Sequence, residues 1–291
     1  MEIARFASDA LELEILPEAG ARLHRLRAFG HDLLRTPDDP RTHLDDPFWW
    51  GGYVMAPWAN RLEARPTEAL GRSVDLAANF PDGSAIHGQV YGRAWGQLSD
   101  ASFGVRGGGD GWPWPYDVRL DVAVTGTTAR LGLSLTNLAD SPMPGGLGLH
   151  PWFRRPLEAA IHGASVFTSN DPSPPLPSPV TGEHDLRTLR PFPTGLDATW
   201  SDLAAAGVEL RWPDLGIRAT MAAGAASTYV VAASPPELDA VAIELQTHAP
   251  SGLRRLVHGE PGALAVLAPG ESLRLAIRID VGRDQGLASL R

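Results

Sequence analysis

Apolar and polar residues alternate along Val118-Arg119-Leu120-Asp121-Val122-Ala123-Val124-Thr125, and again along Arg130-Leu131-Gly132-Leu133-Ser134-Leu135-Thr136. A period of two belongs to strands with one buried face, so both segments are predicted strands. Gly126-Thr127-Thr128 between them makes the pair a hairpin. Leu273, Leu275, Ile277, Ile279 and Val281 alternate with Arg274, Ala276, Arg278 and Asp280, which predicts a third clear strand. Shorter strands are predicted over 11–16, 208–212, 228–232 and 241–247, separated by turn dipeptides such as Pro-Asp, Gly-Asp and Pro-Gly. No long amphipathic helix competes with them. Closely spaced strands without alternating helical blocks point to antiparallel sheets packed face to face, an all-β sandwich. A single domain over residues 1–291 is expected. The Pro-rich stretch 171–180 reads as a surface loop, since neither flank makes a self-contained set of strands. No repeat of fixed period is present.

Composition narrows the chemistry. The chain of 291 residues has no Cys, and its 25 basic residues are all Arg. Disulfides, thiolate metal sites, a Cys nucleophile, a Schiff-base lysine and a P-loop lysine are therefore excluded. A net charge of -9 argues against nucleic acid and anionic membranes, which want a positive field, and favours a small neutral partner. Met1 to Phe6 shows no charged start followed by an apolar run, and nowhere do 18 apolar residues follow one another. A cytoplasmic protein, monomeric or homodimeric, is the expectation.

Four islands combine polar residues with special backbone residues: Pro57-Trp58-Ala59-Asn60-Arg61, Ala85-Ile86-His87-Gly88, Leu147-Gly148-Leu149-His150-Pro151-Trp152-Phe153, and the stretch 242–248 with Glu244, Gln246 and His248. Alone, Asn60-Arg61 reads as a turn with a surface charge, and His87 as a histidine bonded within a tight loop ahead of Gly88. His150 is a sharper candidate: it follows a glycine-rich run, Pro151 biases it to extended backbone, and Trp152 and Phe153 flank it. Within 241–247, Val241, Ile243 and Leu245 share one face while Glu244 and Gln246 share the other. A carboxylate in the middle of an apolar strand is either satisfied by an arginine or lines a polar cavity, and the neighbouring amide favours the cavity. Most of the nine Trp read as core, with Trp58, Trp95 and Trp152 as candidates to stack on a sugar face. Asp197 alone reads as a turn residue.

Taken in order, the islands resemble the aldose 1-epimerase, or galactose mutarotase, family. The resemblance rests on Asn60-Arg61, His87-Gly88, His150-Pro151-Trp152-Phe153, Leu196-Asp197-Ala198-Thr199-Trp200 and Glu244-Leu245-Gln246, and spans residues 50 to 250. It implies an antiparallel β-supersandwich with an open sugar cleft, no metal and no organic cofactor. By matching positions it implies Glu244 as general base and His150 as general acid. His87, Arg61 and Asp197 would bind hydroxyls, with Asn60 and Gln246 in support and Trp152 at the sugar. The chain departs from the family's commoner pattern in Gln89-Val90-Tyr91-Gly92-Arg93 after His87-Gly88, and in Trp152 where Tyr is commoner. A carboxylate neighbour is expected to raise the His150 pKa, and hydrogen bonds to keep Glu244 ionised. A free aldose is the expected substrate. The alternatives are a hexose 6-phosphate, clamped by Arg93 or by Arg154-Arg155, and a non-catalytic carbohydrate-binding protein on the same fold.

Overall fold

The computed structural model describes residues 1–170, 176–224 and 228–284. It is 54% strand and 6% helix, which makes it an all-β protein. Each predicted strand is present, mostly longer than its sequence pattern. The predicted hairpin is Trp112–Thr125 paired with Thr128–Asn137. The C-terminal strand runs Ser272–Arg283, and 208–212 is the end of the long strand Asp197–Trp212. Helix is confined to short pieces, Thr42–Asp45 and Gly252–His258 among them. Part of the Pro-rich stretch, 171–175, lies outside the described residues; beyond it, Ser178–Pro179 pairs with Ser165 and Val166 as a short strand rather than a plain loop.

The main pairings among the described residues form one antiparallel series, with three two-stranded sheets beside it. From Ser102–Gly109 it passes through the hairpin to Ser272–Arg283, then to Ile217–Gly224 and the second half of Asp197–Trp212. The first half of Asp197–Trp212 pairs instead with Tyr229–Ala233, which leads to Ala240–Gln246, Gly148–Arg154, Gly52–Met55, Arg22–Ala28 and Leu11–Leu16. The long strand is thus shared by both parts of the series. Leu11–Leu16 lies over the hairpin strands without pairing with them, so sheet faces sheet. The apolar face of each strand fills the space between: Leu13, Ile15, Val118, Leu120, Leu133, Leu275 and Ile277 are all buried there.

The same alternation that seals this core turns side chains outward on the other face. In Ala240–Gln246, Val241, Ile243 and Leu245 enter the core while Glu244 and Gln246 point away from it, as the period of two requires. Glu244 is nevertheless buried, because loops cover that face and form a cleft over it.

Candidate active site

Strand register builds the floor of this cleft. Gly148 lies opposite Gln246 and Leu149 opposite Leu245, so His150 comes level with Glu244. On its other side His150 lies opposite Tyr53. Glu244, His150 and Tyr53 thereby form a row across neighbouring strands, where facing side chains sit close enough to touch. His150 Nε2 is 3.1 Å from Glu244 Oε1. The Tyr53 ring stacks on the imidazole at 4.5 Å and 21°. Two residues further along, Trp152 repeats the face and brings its ring to 5.0 Å from His150.

Two tight turns supply the next side chains. Asn60 and His87 both adopt left-handed backbone, at φ 56° and 62°, and the His87 N–H donates to the Asn60 carbonyl at 3.1 Å. Gly88 follows at φ 76°, so close to Ala56 that a Cβ there would stand 2.0 Å from the Ala56 carbonyl oxygen. The turns carry the His87 ring edge-on to His150 at 4.9 Å. Arg61 reaches in from beside Asn60. Its Nε donates to Asp82 at 2.6 Å, its guanidinium lies 3.7 Å from Asp197, and it covers the Phe80 ring at 5.4 Å. Asn170 donates to Asp197 and accepts from the Thr199 hydroxyl at 2.5 Å, which fixes the carboxylate at the cleft wall.

A pair that can exchange a proton, ringed by polar side chains and aromatic faces, is an arrangement suited to sugar chemistry. The aldose 1-epimerase family model matches residues 8–280. The chain belongs to the aldose 1-epimerase family. Solved structures with this aldose 1-epimerase fold include a putative aldose 1-epimerase from Escherichia coli K12, at TM-score 0.81 and 21% identity, covering 97% of this chain and 99% of that one. A GalM/aldose epimerase homologue from C. elegans gives TM-score 0.81 at 17% identity, covering 97% and 99%. A galactose 1-epimerase from Lactobacillus acidophilus gives 0.76 at 14%, covering 96% and 93%. No curated protein matches the chain.

Of the residues that the epimerase resemblance picks out, Glu244, His150, Asn60, Arg61, His87, Asp197 and Trp152 line one cleft. Gln246 does not. It is fully buried behind Glu244, and its amide donates to the His248 carbonyl at 2.7 Å. Trp58 and Trp95 are corrected to core: both are buried in the main cluster, with their indole N–H groups spent on the Ala85 and Val90 carbonyls. The three arginines considered for a phosphate also face elsewhere. Arg93 pairs with Asp110, Arg154 with Asp214, and Arg155 donates to the Phe192 and Pro193 carbonyls.

The expected protonation states are reversed. Burial pushes the Glu244 carboxyl well above the usual carboxylate range, Asp197 adds to the rise, and Arg61 opposes it. Burial also lowers the His150 imidazole to about 3; its own backbone opposes the fall, and Arg22 and Arg61 add to it. Desolvation outweighs the pairing because both side chains are almost wholly buried, at 5% and 3% exposure. Both shifts favour the neutral form of the pair, carboxylic acid beside imidazole.

Several participants escape sequence reading. Phe48, Trp49, Tyr53, Phe80 and Asn170 line the cleft, yet nothing in their local pattern separates them from core or turn residues. His248 is another. Its Nε2 accepts the Ala59 N–H at 3.0 Å while Nδ1 hydrogen-bonds the Ala249 carbonyl at 2.7 Å, so a neutral ring ties the end of strand Ala240–Gln246 to the Asn60 turn. Its place in the fourth island, two residues beyond Gln246, is the one signal that marks it.

Proposed function

We propose that the protein is a mutarotase that interconverts the α and β anomers of a free aldose, with Glu244 and His150 as the proton-transfer pair. The observation that carries this reading is the 3.1 Å approach of His150 Nε2 to Glu244 Oε1 on the floor of a cleft walled by Arg61, Asp197 and His87. Glu244 Oε2 and His87 Nδ1 are buried and have no protein partner among the described residues, so both remain for sugar hydroxyls.

A bound aldose donates hydroxyl hydrogen bonds to Glu244, which favours its carboxylate and moves the shared proton to His150. The carboxylate then takes the proton of the C1 hydroxyl while the imidazolium gives its proton to the ring oxygen. The C1–O5 bond breaks, C1 becomes an aldehyde, and the pair returns to its neutral form. Rotation about C1–C2 presents the other face, and the reverse transfers close the ring. The neutral pair favoured by burial is thus the state that accompanies the open chain, which lowers the cost of ring opening. Tyr53, stacked on His150, holds the ring plane, and Arg61 and Asp197 fix the sugar against them.

Polarimetry of freshly dissolved α-glucose and α-galactose tests the reading. The protein is expected to speed the optical change well beyond buffer. Sugar binding by calorimetry with an unchanged rate would instead favour the non-catalytic alternative. The hexose 6-phosphate reading loses support, because the arginines it needs do not line the cleft.

A further inference from the structure

One wall of the cleft is an irregular strap, residues 47–50, whose four successive carbonyls are all engaged by side chains. Arg22, fully buried, donates to Pro47 at 2.7 Å and to Trp50 at 3.0 Å. The Trp152 indole donates to Phe48 at 2.6 Å, and Arg35 donates to Trp49 at 2.5 Å while lying 3.5 Å over the Trp50 ring. The strap therefore turns ring faces to the cleft and keeps its acceptors for these donors. The rings are continuous: from His150, Trp152 is at 5.0 Å, Trp49 a further 5.6 Å on, Phe80 6.2 Å beyond, and Phe48 5.6 Å from Phe80. Among the described residues Arg61 is the one cation that lines the cleft, and it already faces Asp82 and Asp197.

The sugar's orientation follows from the proton-transfer pair, so this step rests on the epimerase reading. The ring oxygen, facing His150, carries two carbons. In the pose considered, C1 lies on the side of Glu244, and C5 with its substituent lies toward Trp152, 5.0 Å from His150, and Trp49 beyond it. We propose that this aromatic belt is the C5-substituent subsite. It selects neutral aldoses that carry hydrogen or methyl at C5, 6-deoxyhexoses and pentoses, over those with a hydroxymethyl, and it rejects a C6 carboxylate or phosphate. A hydroxymethyl placed there gives up water for ring faces, which is worth about tenfold in affinity. A phosphate there meets ring faces and, in Arg61, a cation that Asp82 and Asp197 already engage, which is worth at least roughly a hundredfold.

The test measures calorimetric binding of 1,5-anhydroglucitol and 1,5-anhydrogalactitol, each against its 6-deoxy and 6-phosphate counterparts. Anomer exchange of the corresponding aldoses is followed alongside by NMR. The 6-deoxy ligands are expected to bind about tenfold tighter than their parents, and the 6-phosphates at least roughly a hundredfold weaker. Trp49→Gln, which places an amide in the belt, is expected to erase the 6-deoxy preference; if it fails to fold by circular dichroism, the wild-type ligand series decides alone. Equal binding of parent and 6-deoxy ligands, or tightest binding of a 6-phosphate, overturns the subsite. The anhydro ligands have no anomeric hydroxyl, so their ranking does not depend on turnover. A clear ranking without exchange on any aldose supports the subsite and overturns the epimerase reading, while exchange without a ranking does the reverse.

Discussion

His150 and Glu244 illustrate how burial, rather than pairing, sets protonation. An imidazole at its ordinary value would titrate near neutrality and impose a step on the rate between pH 6 and 7. Here burial holds His150 at about 3 and Glu244 well above the usual carboxylate range, so both shifts favour the pair's neutral form. With His150 held at about 3, the expected pH profile of kcat/KM has no acid limb near pH 6.5. A rate that halves near pH 6.5 on the acid side would contradict it. His248 acts at one remove from the chemistry. His248→Phe leaves the buried Ala59 N–H without its acceptor, which costs about 1–3 kcal/mol and loosens the turn that carries Asn60 and Arg61. Denaturant unfolding should show that loss, accompanied by a higher KM.

At the scale of elements, the site is a product of register and of two turns. Gly88 allows the His87 turn to lie against Ala56, a position where added bulk has nowhere to go. Gly88→Ala combines a positive φ with a backbone clash, so it is expected to cost more than about 1 kcal/mol and to lower anomer exchange by displacing the His87 ring. Thermal unfolding and exchange rates measured on one preparation check both effects; an unchanged melting temperature would contradict the strain argument. Much of this level was legible in the sequence. The alternation in 118–125 and 273–281 gave real strands, and a carboxylate within apolar 241–247 marked the cleft face. What placed Tyr53 beside His150 was not legible, because the pairing of Gly52–Met55 with Gly148–Arg154 joins segments about a hundred residues apart. The same limit explains Trp58 and Trp95, whose islands are polar but whose rings turn into the core. It also explains the reversed protonation, since depth of burial is a property of the assembled loops and not of any one strand.

For the whole molecule, acid is the expected weak point. His43 is lowered to about 2 and His248 to about 4, both chiefly by burial, with Arg22 and His24 adding to the first and Arg255 to the second. Each folded pKa lies below its unfolded value, so the stability they hold neutral is complete above about pH 6.5 and is lost as pH falls toward the folded pKa. Each is expected to cost about 2 kcal/mol between pH 7 and 5, read as a falling unfolding midpoint. Glu244, whose pKa is raised, works in the opposite direction and offsets part of that loss. A midpoint that rises from pH 7 to 5 would contradict the balance. The absence of Cys and Lys, which first served to exclude chemistries, fits a reaction that needs one carboxylate, one imidazole and a cleft.

The central claim is that Glu244 and His150 move protons to and from a bound aldose. Exchange-spectroscopy NMR of an equilibrated aldose, comparing wild type with Glu244→Gln at equal sugar occupancy, tests it most directly. A fall in the α to β exchange rate by about 10²- to 10⁴-fold, with sugar binding retained, is the predicted result. Equal exchange rates for the two proteins would contradict the account.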